Sequence, residues 1–219
     1  MIEIKSIEPT KSNLKKFTQF QIDLYDGNPY YVPPLVSDDV ATLSPGVNPA
    51  FEFCDAAYFM AYRDGKPAGR IAGIINRQVN EGHGKATARF GFVDFIDDPM
   101  VSEALMNAVE DWARAKGMKK IIGPLGFTDL DHEGMLVEGF QELSTMATIY
   151  NYPYYPQHLE RLGYEKESDW VEFMMDVPDS IPDKHNRIAD IVKKKFGLKV
   201  LKYKSRKRIK NEYGRALFH

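Results

Sequence analysis

The side chains that could do chemistry fall into a few groups. The densest is Asp129, Asp131, His132 and Glu133. Oxygen and imidazole donors of this kind can hold a divalent cation. Their spacing matches neither the zinc-protease helix nor the calcium loop, so they read as a solvated loop and no metal is expected. Asp97 and Asp98 stand directly before Pro99. A carboxylate just ahead of a proline at the first helical position is the chemistry of an N-cap before it is that of a ligand. Tyr150, Tyr152, Tyr154 and Tyr155 offer hydroxyls that could move a proton. Such residues more commonly bury a ring and hydrogen-bond the tip. Cys54 has no basic neighbour in sequence and is not read as a nucleophile; His83, between two glycines, reads as a turn residue. Lys193, Lys194 and Lys195, and the run from Lys204 to Lys210, could meet phosphates. Without aromatic interleaving they read as a solvated face or a contact to a further lobe, so nucleic acid is not an expected partner.

The elements that must position these residues centre on the stretch from Ala86 to Pro124. Residues 86–95 are β-branched and aromatic and predict a strand. Asp98 and Pro99 then start a helix with Val101, Leu105, Val109 and Trp112 on one stripe, ended by Gly117. Residues 119–122 are a short strand, stopped by Gly123-Pro124. A β-α-β unit of this length implies parallel strands, and ligands in such units collect where the first strand meets the helix N-terminus.

Upstream, Ile2, Ile4 and Ile7 predict an opening strand, and residues 12–25 a helix bearing Leu14, Phe17 and Leu24. The prolines of Asn28-Pro29-Tyr30-Tyr31-Val32-Pro33-Pro34 predict a packed irregular loop, followed by a short helix over 38–43. Strands over 56–63 and 68–76 flank the hairpin turn Asp64-Gly65, and residues 80–84 read as a polar connection. Downstream, the expected order is an irregular segment to 144, a strand over 145–150 and a short helix over 157–162. A strand over 170–176, a helix over 185–196, a strand over 198–203 and a last helix from 205 follow.

Composition sets outer limits. A chain of 219 residues with 43% hydrophobic residues and net charge −2 is an ordinary globular sequence. Near-neutrality gives no global pull toward nucleic acid. The single cysteine allows no internal disulfide, and the first residues lack a signal-peptide pattern, so the cytoplasm is the expected location. No apolar run approaches the ~18 residues of a membrane span.

Several phrases carry a resemblance. The hairpin Asp64-Gly65-Lys66-Pro67-Ala68-Gly69-Arg70, the strand and helix from Phe90 to Gly117, and Leu159-Glu160-Arg161-Leu162-Gly163-Tyr164 resemble the GNAT acyltransferase superfamily. Asn28 to Pro34, Gly69-Arg70-Ile71-Ala72, Gly123-Pro124, Gly134 to Phe140 and Tyr150 to Tyr155 are similar to a bacterial GNAT-like group. The resemblance covers residues 1–178, with 179–219 as a linker and the start of a second lobe. It implies a mixed, twisted α/β sheet flanked by helices, in a chain that continues past His219 into that lobe or forms a homodimer.

The resemblance also implies acetyl-CoA or another acyl-CoA as cofactor and transfer of its acyl group to a small-molecule or peptide amine. The cofactor would meet Phe92 and Val93 on the strand and Asp97, Asp98, Met100, Val101 and Ser102 at the helix start. Family members hold pyrophosphate there with an Arg/Gln-x-x-Gly-x-Gly/Ala loop, because glycine lets the backbone approach phosphate and the helix dipole favours it. Here Asp97 stands at the Arg/Gln position, and Met100 and Ser102 at the glycines. For the general acid the family uses a late-helix tyrosine. Leu159 occupies that place, with Tyr155 one turn earlier and Tyr150 just before the helix as substitutes. Asp94 is the candidate general base. Two readings follow: an acyl-CoA-dependent N-acyltransferase, or a non-catalytic GNAT-like module with a degenerate loop.

Overall fold

The computed structural model describes residues 1–145 and 148–217. It divides into two compact units, Met1–Trp170 and Val171–His219. The first unit is built on a five-stranded sheet in the order β1 (Ile2–Ile7), β2 (Cys54–Arg63), β3 (Lys66–Asn76), β4 (Thr87–Phe95), β5 (Lys120–Ile122). β1 to β4 pair antiparallel and β4 pairs β5 parallel, so the sheet is mixed as expected.

Helices cover both faces. On one lies α4 (Pro99–Ala115), whose Val101, Leu105, Met106, Val109 and Ala113 are buried. Two glycines of β3 let it come close. A Cβ on Gly69 would stand 2.6 Å from Leu105 Cδ1, and one on Gly73 would stand 2.8 Å from the Trp112 ring. On the other face lie α1 (Lys11–Leu24) and α2 (Val36–Thr42). There Leu14, Phe17 and Leu43 pack with Tyr58, Ala72 and Ile74. β3 is covered on both sides, which is why Ala68–Ile75 reads as a continuous apolar run broken only by Arg70 and two glycines.

Residues 80–84 are not a simple connection: Arg77–His83 form α3. The Asn76 side chain accepts from the Val79 N–H at 3.0 Å, and Gly84 at φ +60° ends the helix. Both caps stood in the sequence, but the helix has too few apolar residues for its period to show. α5 (Tyr154–Arg161) starts three residues earlier than the expected 157, directly after Pro153. The strand expected over 145–150 includes Met146 and Ala147, which lie outside the described residues; Thr145 and Thr148–Tyr150 are not in a strand.

The second unit contains α6 (Asp183–Phe196) and α7 (Arg206–Leu217), close to their expected positions. The strands expected over 170–176 and 198–203 are absent among the described residues. The alternation of Val171, Phe173 and Met175 is there, but Trp170 is 78% and Phe173 81% exposed. A strand is stabilised by its neighbour, and a period of two without a paired edge leaves the backbone irregular. Among the described residues no helix is long and apolar enough to cross a membrane.

Candidate functional site

The site begins with a break in the regularity of β4. Ala72 pairs Gly91, whereas Arg70 pairs Asp94, so β4 carries one extra residue between those pairs. Phe92 sits there at φ +47°, a left-handed conformation that bulky residues rarely adopt. On its other side β4 pairs β5 only from Thr87 to Arg89. The chain then leaves through the cis Gly123–Pro124 peptide and crosses close over β4, with the Leu125 N–H donating to Phe90 O at 2.8 Å. A Cβ on Gly91 would stand 2.3 Å from Leu125 O, so this crossing requires glycine.

Beyond the crossing, the free edge of β4 is met by α5. The Phe95 N–H donates to the Tyr155 hydroxyl at 3.1 Å, and the Tyr154 hydroxyl donates to Phe95 O at 2.6 Å. Strand β4 thus loses its parallel neighbour half-way along and exchanges it for two tyrosine side chains. A mixed sheet flanked by helices is the arrangement the sequence resemblance implies. The chain has a GNAT-like fold.

Two curated proteins are similar over most of this GNAT-like chain. Protein YghO of Escherichia coli (strain K12) is 33% identical over 192 residues, 87% of this chain and 49% of that protein. The bacterial ceramide synthase of Caulobacter vibrioides (strain NA1000 / CB15N) is 30% identical over 175 residues, 80% of this chain and 46% of that protein. The chain spans about half the length of the curated relatives it matches. Among solved structures, the tandem GNAT protein from the clavulanic acid biosynthesis pathway is 14% identical, with 74% of this chain and 43% of that one covered and a TM-score of 0.48. No protein-family model matches the chain.

A cavity of about 70 Å³ opens where the GNAT-like strands part. Phe92, Val93, Asp94, Tyr150 and Tyr155, all singled out from the sequence, line it together with Arg70, Tyr31, Asp39 and His132. Asp94 and Arg70 are 3% and 2% exposed, and Arg70 Nε donates to Asp94 Oδ2 at 2.7 Å. The same guanidinium donates to Phe17 O and to Gln21 Oε1. The other Asp94 oxygen, Oδ1, accepts from Tyr25 at 3.1 Å and lies 3.4 Å from the Tyr155 hydroxyl. Burial pushes the Asp94 carboxyl up, against the pull of Arg70 and the two tyrosines. Burial also opposes the Arg70 charge, but the Asp94 and Asp39 carboxylates hold its pKa above the ordinary value. Desolvation, with Asp94 nearby, raises Tyr25 and Tyr155 well above the normal phenol value, so both keep their protons.

These contacts revise the expected roles. Both Asp94 oxygens are engaged, Oδ2 by the Arg70 guanidinium and Oδ1 by Tyr25, so neither is turned toward a substrate proton. Asp94 instead anchors Tyr25 and Tyr155. The Tyr150 hydroxyl accepts from Asn28 Nδ2 at 3.0 Å and donates to Phe140 O at 3.3 Å, so it ties two loops together. Tyr155 combines a hydroxyl on the free strand edge with a place in the cavity wall.

The helix start is a different matter. The Asp98 side chain accepts from the Met100 N–H at 3.0 Å, and Asp98 O accepts from the Val101 and Ser102 N–H groups. Pro99 has no N–H to offer. Arg63 makes an ion pair with Asp98. Asp97 Oδ1 is 3.0 Å from His158 Nε2, and His158 Nδ1 is 2.9 Å from Ser102 Oγ. Val101 is fully buried in the core and Met100 is 62% exposed. The first-turn donors are therefore taken by the chain itself, and two carboxylates occupy the approach. These residues do not fit a pyrophosphate, so Asp97, Asp98, Met100, Val101 and Ser102 read as helix-capping and packing groups rather than as cofactor contacts.

Sequence reasoning missed Arg70, Tyr25, Tyr31, Asp39 and His158 as parts of this region. A charged residue inside the apolar run of β3 was the available signal for Arg70; its partner 24 residues away was not visible. Among the described residues no group of three or more His, Cys, Asp or Glu side chains is arranged to hold a metal.

Proposed function

We propose that this GNAT-like domain forms an amide by transferring an acyl group from a thioester to an amine. The observation that carries this reading is the Tyr155 hydroxyl on the free edge of bulged β4, beside a cavity at the point where β4 and β5 part. In such a reaction the amine nitrogen bonds to the thioester carbonyl carbon, the C–S bond breaks, the departing sulfur takes a proton, and the nitrogen releases one to solvent, from which the proton donor is restored. Tyr155 supplies that proton in this reading, and the Tyr25 hydroxyl, 2.7 Å away, keeps its ring oriented. The similarity to a bacterial ceramide synthase points the same way, since a ceramide is an amide of a fatty acid and a long-chain amino alcohol. Because the helix start does not fit a pyrophosphate, no step here is assigned to the nucleotide part of a coenzyme.

The closed helix start favours a second reading, a module that binds a ligand without turning it over. One assay separates the two. The full chain is mixed with a fatty acyl N-acetylcysteamine thioester, or with acetyl-CoA or palmitoyl-CoA, and a panel of amines, and thiol release is followed. Amine-dependent thiol release that is at least tenfold lower in a folded Tyr155→Phe variant supports the transferase. No amine-dependent release from any donor supports the binding module.

A further inference from the structure

Three oxygens form a closed triangle beside the cavity. The Tyr25 hydroxyl is 3.1 Å from Asp94 Oδ1, the Tyr155 hydroxyl is 3.4 Å from the same atom, and the two hydroxyls are 2.7 Å apart. Paired with Arg70, the carboxylate only accepts. Two hydroxyl protons therefore serve three contacts. The shorter pair of contacts puts the Tyr25 proton on Asp94 and the Tyr155 proton on Tyr25. Tyr155 then accepts the Phe95 N–H at 3.1 Å, and its own proton points away from the cavity. An acid in this state has no proton to give a ligand.

Rotation of both O–H bonds changes that. As the Tyr155 proton turns to the cavity, the Tyr25 proton turns from Asp94 to the Tyr155 oxygen across the same 2.7 Å. The rings stay in place. Tyr155 is stacked on Phe95 with centroids 4.2 Å apart, and Tyr25 packs against Tyr31, Tyr150 and Tyr152. The Tyr155 oxygen now receives two donors, the Tyr25 O–H and the Phe95 N–H. Both favour its ionised form, whereas burial and the Asp94 charge oppose it. The relation is one-sided: the contact with Tyr155 disfavours ionisation of Tyr25.

We infer that Tyr25 is a positioning residue whose hydroxyl turns from Asp94 to Tyr155 and stabilises the phenolate that Tyr155 becomes on giving its proton to the departing sulfur. The Tyr155 O–H bond breaks, an S–H bond forms, and the negative charge passes from sulfur to the phenolic oxygen. Solvent then restores the proton. Asp94 keeps Arg70 throughout and takes Tyr25 back afterwards. The inference rests on the transferase reading, because the phenolate forms only in that reaction.

The leaving group provides the test. The full chain and a Tyr25→Phe variant are assayed with acyl N-acetylcysteamine and acyl thiophenol thioesters, since an aryl thiolate departs without a proton. With N-acetylcysteamine, kcat should fall at least about tenfold in Tyr25→Phe while KM stays within about twofold. With thiophenol the loss should be less than about twofold, which also shows that the variant is folded. A second variant keeps every bond: 3-fluorotyrosine at position 25 is a stronger donor and should raise kcat for N-acetylcysteamine alone. Equal losses with both donors in a folded Tyr25→Phe variant, or no response to fluorination, would overturn the inference and leave the transferase standing. A wild-type chain that releases no thiol from either donor would remove the transferase reading and this inference with it.

Discussion

The hydroxyls of Tyr25 and Tyr155 lie 2.7 Å apart although 130 positions separate them in the chain. Tyr155 also accepts the Phe95 N–H, and Tyr25 donates to Asp94. Replacing Tyr155 by Phe leaves a buried strand N–H without a partner. The expected cost is about 1–3 kcal/mol of stability, read from urea unfolding. Thiol release should fall at least tenfold under conditions where the variant remains folded.

Asp94→Asn is expected to destabilise more. It leaves Arg70, 2% exposed, without its counter-charge. Breaking one side of a buried pair costs about 3–5 kcal/mol. The double variant Arg70→Met, Asp94→Leu should recover much of that loss, because no orphaned charge remains. A double variant no more stable than Asp94→Asn would mean that the hydrogen bonds of Arg70 to Phe17 and Gln21, rather than its charge, dominate.

Asp98→Ala should lower stability by about 1–2 kcal/mol through loss of the cap on the Met100 N–H. It also removes the partner of Arg63. Asp97→Ala should cost less, since Asp97 is largely exposed and holds only the rim of His158. Equal losses in thermal melts would show that the Asp97–His158–Ser102 chain, not the cap, fastens α5 to α4.

The pH dependence of Asp39 has a definite sign. Burial raises its folded-state pKa above the ordinary carboxylate value. The folded protein then binds more protons than the unfolded chain in the window from about pH 4 up to that raised value. Stability contributed by this group is full below the unfolded pKa and is lost as pH rises through the window. Asp39→Asn removes the cost of the buried charge. The variant should therefore gain on wild type between pH 4 and pH 7 in urea midpoints, and match it below pH 4. A gap that shrinks with rising pH would contradict the assignment.

Cys54 is buried, and burial pushes its thiol up to about 11. Little thiolate forms at pH 8. Alkylation by iodoacetamide should be slow in the folded protein and fast in urea. Fast labelling of the folded chain would show that the β2 end opens readily.

Much of the first unit was legible from local pattern. Asp98, Pro99 and Gly117 delimit α4 because capping is a property of a few adjacent residues. The alternation around Asp64-Gly65 marks the β2–β3 hairpin because the turn and both strands are contiguous. The same local reasoning misplaced the strand at 170–176, where the period of two is present but its stabilising edge is not. It also passed over α3, whose signal lies in Asn76 and Gly84 rather than in any apolar stripe.

By itself the sequence determined which segments are amphipathic, where their ends are capped, and that the α4 start carries two acids, with Met100 and Ser102 where the resembled loop has glycines. Only the tertiary structure decided what those groups meet. Asp94 is an acid in a strand until Arg70 and the tyrosines 69 and 61 positions away close around it, which changes it from a base into an anchor. Tyr31 and Asp39 look like loop and helix-start residues until the parting of β4 and β5 opens a cavity beside them. Capping depends on neighbours a few residues apart and can be read along the chain. Charge, burial and hydrogen bonding at a site depend on groups brought together by folding, and there the sequence names the residues without naming their partners.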